Sequence, residues 1–80
     1  MTLDMLARGA TGRIVSVDWP SLAPDEAKRL RALGIDEGAT VKIAHRGVFG
    51  GHDPIALTVG RMTVAVRRAH ARAMEVELQS

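Results

Sequence analysis

Residues 24–46 read PDEAKRLRALGIDEGATVKIAHR, in which a helix pattern passes directly into a strand pattern. Pro24 suits the first turn of a helix, where its missing N–H leaves no hydrogen bond unmade. Apolar residues then recur every three positions, which gives the helix one narrow apolar face. Gly34 fits the position after the helix end, where φ is positive, and Ile35 can pack back on the helix as in a Schellman ending. We therefore predict an α-helix from Pro24 to Leu33.

Short strands are predicted on both sides of this helix, because Gly and Pro separate brief apolar runs. The first run, residues 14–17 (IVSV), does not alternate cleanly and predicts a β-bulge or a strong bend. Gly60 and Arg61 predict a type II′ turn, after which Met62 begins the inner face of a strand. The predicted strands are residues 13–19, 40–46, 54–59, 62–67 and 74–78, with one helical turn at 68–73.

The predicted architecture is all-β. Five short strands cannot cover one another as a flat open sheet, so we expect them to close into a small SH3-like β-barrel. One inserted α-helix and a short helical turn before the last strand complete it. The 80 residues are expected to form a single domain, residues 1–80, with its core over about residues 8–78. The expected core residues are Leu30, Leu33, Ile43, Leu57, Val66 and Val76.

The composition limits where the protein works. The chain has no Cys, which excludes disulfides and thiolate metal sites and fits a reducing compartment. Nothing approaches the roughly 20 apolar residues of a membrane span, and the N-terminus does not read as a signal peptide. We therefore expect a cytoplasmic protein that meets a membrane only through a partner.

Metal or cofactor chemistry is not expected from the polar residues. His45, His52 and His70, with Asp53 beside the second, are of the types that iron(II) or zinc takes. They lie on different predicted elements, and the sequence holds no His-x-His or His-x-x-x-His pair. We therefore predict no metal site and no cofactor.

Catalysis is not expected either. The serines have no adjacent base or glycine elbow. The pair Gly50-Gly51 lacks the Lys and Ser/Thr that follow in a phosphate-binding loop. Glu75 and Glu77 share the exterior face of a predicted strand. The sequence therefore predicts a binding protein and not an enzyme.

One loop and one basic region are the candidate binding features. Val48 and the chain's single Phe, Phe49, are flanked by glycines, so Phe49 either folds over the open barrel end or is captured by a partner. Four arginines gather near the C-terminus, either as a solvated face or as a docking patch for an acidic partner. The candidate partner-binding residues are Arg46, Val48, Phe49 and Arg67.

Four segments together resemble the FeoA family. Residues 29–35 (RLRALGI) and 38–43 (GATVKI) look like its R-L-x-x-L-G-hydrophobic and G-x-x-V-x-V motifs. Residues 53–55 (DPI) look like its strand entry, and residues 66–76 (VRRAHARAMEV) look like its closing L-R-R-x-x-A-x-x-I-x-V pattern. The order and spacing are kept over about residues 8–77.

The resemblance implies an SH3-like barrel in the cytoplasm that serves ferrous iron transport. It implies FeoB as the partner, a membrane permease whose cytosolic part is a GTP-binding domain, and no catalytic residue in this chain. Residues 47–54 depart from the compact A-P-x-G-D-P hairpin of the family. The role of that loop in relatives therefore does not carry over.

Two other functions remain open. The SH3-like C-terminal domain of iron- or manganese-dependent repressors shares these motifs, but it normally follows a helix-turn-helix, and no such pattern precedes residue 8. A small nucleic-acid-binding barrel could contact phosphates through Lys42, Arg46, Arg61 and Arg67. No aromatic residue lies among these cations, which disfavours binding of single strands.

Overall fold

The computed structural model describes residues 1–46 and 53–79, without the side chains of His45 and Arg46. All the predicted strands and the helix are found, with ends shifted by no more than two residues. The strands are β1 (Thr11–Val17), β2 (Thr40–Arg46), β3 (Ile55–Val59), β4 (Met62–Val66) and β5 (Met74–Gln79), the α-helices are α1 (Pro24–Ala32) and α2 (Arg68–Ala71), and 3-10 turns lie at Leu3–Met5 and Trp19–Ser21.

The strands form one antiparallel sheet in the order β4-β3-β2-β1-β5. The all-β class is confirmed, but the sheet is not closed, because β4 and β5 stand at its two edges. The chain between them turns through α2, and α1 contributes the fully buried Leu30 to the core. Both helices therefore contribute buried side chains to the core, Leu30 from α1 and Ala71 from α2.

The core draws on every strand, on both helices and on the N-terminal turn. Five of the six predicted core residues are buried, whereas Leu33 is only half-buried. Leu3 and Leu6 are also buried, ahead of the predicted start of the core at residue 8. The fully buried large side chains are Leu3, Leu6, Ile14, Leu30, Ile35, Val41, Ile43, Ile55, Leu57, Val66 and Met74.

Helix α1 ends as the sequence predicts. The N–H of Gly34 donates to the carbonyl of Arg31 at 3.0 Å, and the N–H of Ile35 donates to the carbonyl of Leu30 at 2.9 Å. This pair of hydrogen bonds defines a Schellman motif. Gly34 has a φ of 90°, and Leu30 and Ile35 are both fully buried. The motif therefore turns the chain from α1 toward β2 over the core.

Gly34→Ala should lower the free energy of unfolding by about 1–2 kcal/mol, the cost of a left-handed backbone for a residue with a Cβ. Space is not the cause, since a Cβ there would lie 3.6 Å from Val59 Cγ1, an ordinary contact. Gly34→Asn should lose less, because Asn tolerates this region better. Urea unfolding of the two variants checks this, and an alanine variant as stable as the wild type would refute it.

The sheet has two register shifts, and one residue of β4 is more exposed than the sequence predicts. The pairing of β1 with β5 shifts register between Ile14 and Ser16, which confirms the predicted bulge. A second shift, between Ile43 and His45, was not predicted. Met62 lies on the same face as the buried Val64 and Val66, as predicted, but it is 46% exposed and does not belong to the core. Met62 begins an edge strand, and no described strand lies beyond it.

Candidate functional site

Of the four predicted partner-binding residues, the structure describes the side chain of Arg67 alone. Arg67 is exposed and precedes α2 with extended backbone, φ −63° and ψ 143°. Val48 and Phe49 lie outside the described residues, as does the side chain of Arg46. The proposed docking role of these four residues therefore remains a prediction.

Asp53, one of the residues of metal-ligating type, caps a helix. Its Oδ1 accepts a hydrogen bond from the N–H of Arg68 at 2.8 Å. The first N–H groups of a helix have no partner within it, so a carboxylate stabilises that end. The contact ties the approach to β3 to the start of α2. His52 and the side chain of His45 lie outside the description.

Helix α1 meets β4 and α2 through a charged cluster. The guanidinium of Arg29 donates to Glu26 Oε1 from Nε at 3.0 Å and from Nη2 at 2.6 Å. Nη2 also lies 3.4 Å from the carbonyl oxygen of Ala65 in β4. His70 Nδ1 lies 3.8 Å from the same Glu26 oxygen and has no hydrogen-bond partner. The carboxylate of Glu26 therefore faces Arg29 on its own helix and His70 on α2.

The charges of this cluster change the acidity of Glu26. The hydrogen bond from Arg29 lowers the pKa of Glu26 from its ordinary value of 4.5, and partial burial opposes this shift. The positive charge of Arg29, and that of His70 when it is protonated, lower the pKa of Glu26 further. A carboxyl whose pKa falls on folding stabilises the protein above its unfolded pKa, and this stabilisation is lost as the pH falls through the folded pKa.

Glu26→Gln should therefore weaken the loss of stability in acid. Wild-type protein should lose the contribution of Glu26 as the pH falls from above 4.5 through the lowered pKa, and the variant has no such contribution to lose. Thermal melts from pH 7 down to pH 3 check this, with Asp25→Asn on the same helix as the matched variant. A Glu26→Gln profile parallel to that of the wild type would contradict the assignment.

The chain's single Trp is fixed by a second cluster. Trp19 Nε1 and the N–H of Val17 donate to Glu37 Oε2, at 3.1 Å and 3.2 Å. The guanidinium carbon of Arg31 lies 4.1 Å from the centre of the Trp19 ring, a cation–π contact. Arg31 also approaches Asp36, whose pKa is lowered first by hydrogen bonding from Glu37. These contacts hold the end of α1 against β1.

The N-terminal segment covers the outer edge of β5. The carbonyl of Met1 accepts the N–H of Val76 at 2.8 Å, and Thr2 pairs with Glu75. The Thr2 hydroxyl donates to Asp4, and Arg72 Nε lies 3.6 Å from Asp4 Oδ2. The sequence pattern does not predict this attachment.

The described part of the molecule has no metal cluster, no cavity and no membrane-spanning helix. No group of three or more His, Cys, Asp or Glu side chains is placed to hold a metal ion. No cavity is present among the described residues, 1–46 and 53–79. Neither described helix has the length and apolar character needed to cross a membrane.

The family model and the similar solved structures indicate the same family. The family model of the FeoA domain matches residues 1–78. FeoA of Stenotrophomonas maltophilia, solved with zinc, is 32% identical over 96% of this chain and 89% of its own, with a TM-score of 0.75. FeoA of Chlorobium tepidum is 28% identical over 100% and 71%, with a TM-score of 0.86. Curated protein sequences give no match.

Other solved structures share the fold. Iron(II) transport protein A of Clostridium thermocellum is 24% identical, with a TM-score of 0.82, and this chain spans 45% of its length. IdeR of T. acidophilum and a manganese-dependent transcriptional repressor are 20% and 19% identical, which shows the fold alone. The S. maltophilia protein is described as an SH3-domain protein. The SH3-like fold predicted from the sequence is thus confirmed.

Proposed function

The chain belongs to the FeoA domain family, and we propose that it is a cytoplasmic accessory protein of ferrous iron uptake. It binds the cytosolic part of a FeoB-type iron permease and regulates or assembles that transporter without catalysing a reaction. Binding is assigned to the predicted residues Arg46, Val48, Phe49 and Arg67.

The observation that carries this proposal is the family match over residues 1–78. The 32% identical S. maltophilia protein, which this chain covers for 89% of its length, is described as a candidate ferrous iron transport activating factor. The S. maltophilia protein was solved with zinc bound. In this chain, His52 and the side chain of His45 lie outside the residues that the structure describes. The proposal therefore assigns no metal to this chain.

The geometry supports a small protein-binding surface. Arg67 is exposed where β4 meets α2, and arginine is enriched where protein surfaces meet. Small interfaces are typical of transient contacts, so micromolar affinity is expected. The two repressors, at 20% and 19% identity, share only the fold of this chain. Their likeness therefore does not favour a DNA-binding role.

Co-purification from membranes tests the proposal. Tagged protein should retain the FeoB-type permease from detergent-solubilised membranes, and Arg67→Glu and Phe49→Ala should each weaken retention while the melting temperature stays near that of the wild type. Leu78→Ala, at a side chain that is 59% exposed on β5, is the matched control and should retain the permease. Failure of the wild type to retain it would refute the proposal, and unfolding of Phe49→Ala would assign Phe49 to the core.

A further inference from the structure

The two edges of the sheet differ in their cover. The outer edge of β5 is paired with Met1 and Thr2 of the same chain. Strand β4 pairs with β3 alone, and among the described residues its other side receives only the guanidinium of Arg29. An uncovered strand edge is a template for pairing with another extended chain. We call this side of residues 61–67 the β4 edge.

The register shows which main-chain groups are available at the β4 edge. Met62 follows directly on the two-residue turn, and the residues that flank such a turn form a hydrogen-bonded pair. Val64 and Val66 therefore also bond to β3, and the N–H and C=O groups of Thr63 and Ala65 point away from it. The Arg29 Nη2 to Ala65 oxygen distance of 3.4 Å is long for a hydrogen bond. An incoming peptide N–H can replace it.

Exposed side chains give the β4 edge its chemical character. Arg61 and Arg67 are both exposed and stand at its two ends, and the guanidinium of Arg29 lies beside its middle. Between the two ends the side chains are uncharged. Met62, on the same face as the buried Val64 and Val66, is 46% exposed. The edge thus offers main-chain hydrogen bonds, one apolar contact and flanking positive charge.

A second copy of this chain fits the β4 edge poorly. Self-pairing of two β4 strands with the greatest overlap sets residue 64 opposite itself and Thr63 opposite Ala65. It then sets Arg61 of one copy opposite Arg67 of the other, at both ends. Like charges directly opposite in a sheet are destabilising, so the charge pattern favours a partner strand of the other sign.

We propose that the β4 edge binds an extended segment of a partner protein as an added antiparallel strand, with acidic residues at both ends and an apolar residue beside Met62. Main-chain bonds at Thr63 and Ala65 give affinity, and pairing of acidic residues with Arg61 and Arg67 gives selectivity. The inference rests on the proposed function for the identity of the partner. The edge itself can be tested without the transporter.

The test is an NMR titration of the ¹⁵N-labelled full chain with two blocked peptides. Both have a centre of alternating threonine and valine, and two glutamates flank it at each end in one peptide and two lysines in the other. The glutamate peptide should shift the amides of Thr63, Ala65 and Arg67 and slow their hydrogen exchange. It should bind about tenfold more tightly than the lysine peptide at low salt.

Matched variants separate strand addition from simple charge attraction. Thr63→Pro removes an N–H that points away from β3 and should abolish binding, since proline is tolerated on edge strands but cannot pair there. Thr63→Ala keeps the N–H and should bind as the wild type does. If Thr63→Pro fails to fold, the double variant Arg61→Glu, Arg67→Glu replaces it and should prefer the lysine peptide.

Four results would overturn the proposal: no binding of the glutamate peptide up to millimolar concentration, equal binding of both peptides, shifts centred away from β4, or self-association of the chain that Thr63→Pro abolishes. None of them bears on retention of the permease from membranes. Conversely, a chain that retains no permease can still bind the peptide. The inference and the proposed function can therefore fail separately.

Discussion

Leu30→Ala should lower the free energy of unfolding by about 2–5 kcal/mol, the usual range for truncating a buried leucine. Leu30 is fully buried, and its carbonyl accepts the hydrogen bond of Ile35 that ends α1. Domains of this kind have roughly 5–15 kcal/mol in total, so the loss is a large share. The melting temperature should fall by roughly 10–30 °C.

Leu78→Ala is the matched control, because it makes the same truncation at a side chain that is 59% exposed. Its effect should stay within about 0.5 kcal/mol. Chemical unfolding followed by circular dichroism measures both. Equal stability of Leu30→Ala and wild type would mean that α1 does not pack on the sheet, and the architecture would be wrong.

Leu3→Ala should also cost about 2–5 kcal/mol, although this residue precedes the first strand. Leu3 is fully buried, and the segment that carries it is attached to β5 through Met1 and Thr2. The truncation removes a core side chain and loosens the segment that covers the edge of β5. Hydrogen exchange at Val76, whose N–H donates to Met1, should become faster in the variant.

Met5→Ala provides the control from the same turn, since that side chain is 67% exposed. It should change the free energy of unfolding by no more than about 0.5 kcal/mol. A Leu3→Ala variant as stable as Met5→Ala would show that the N-terminal turn adds nothing to the core.

Local chemistry made much of the fold predictable. Pro24 at the start of α1 and Gly34 after its end act through their own backbones, so the helix can be located from short-range signals. The strand runs and the bulge near Ile14 likewise follow from alternation and its interruption. These features depend on residues close together in the chain.

Features that depend on distant contacts were not predictable. Leu3 and Leu6 lie in a segment with no regular period, and contact with distant elements buries them. The alternation of β4 gives the face of Met62 but not whether another strand lies beyond it. For the same reason, the pattern of five strands did not reveal that the sheet would remain open.

The contacts of the candidate site likewise join residues that are far apart in the chain. Asp53 is of a metal-ligating type, although no metal site was predicted, and in the structure it accepts the N–H of Arg68, fifteen positions away. The contact of Arg29 with the Ala65 carbonyl spans thirty-six positions. No short-range pattern signals such contacts. The family motifs were recognisable because four segments kept their order and spacing.

The most direct test of the central claim is uptake of radiolabelled iron(II) by cells with and without the gene. Deletion should reduce uptake through the FeoB-type permease, wild-type protein should restore it, and Arg67→Glu should restore less than the Leu78→Ala control. Immunoblotting should show equal amounts of the permease and of each variant. Unchanged iron(II) uptake on deletion, in cells that depend on that permease, would contradict a role in ferrous iron transport.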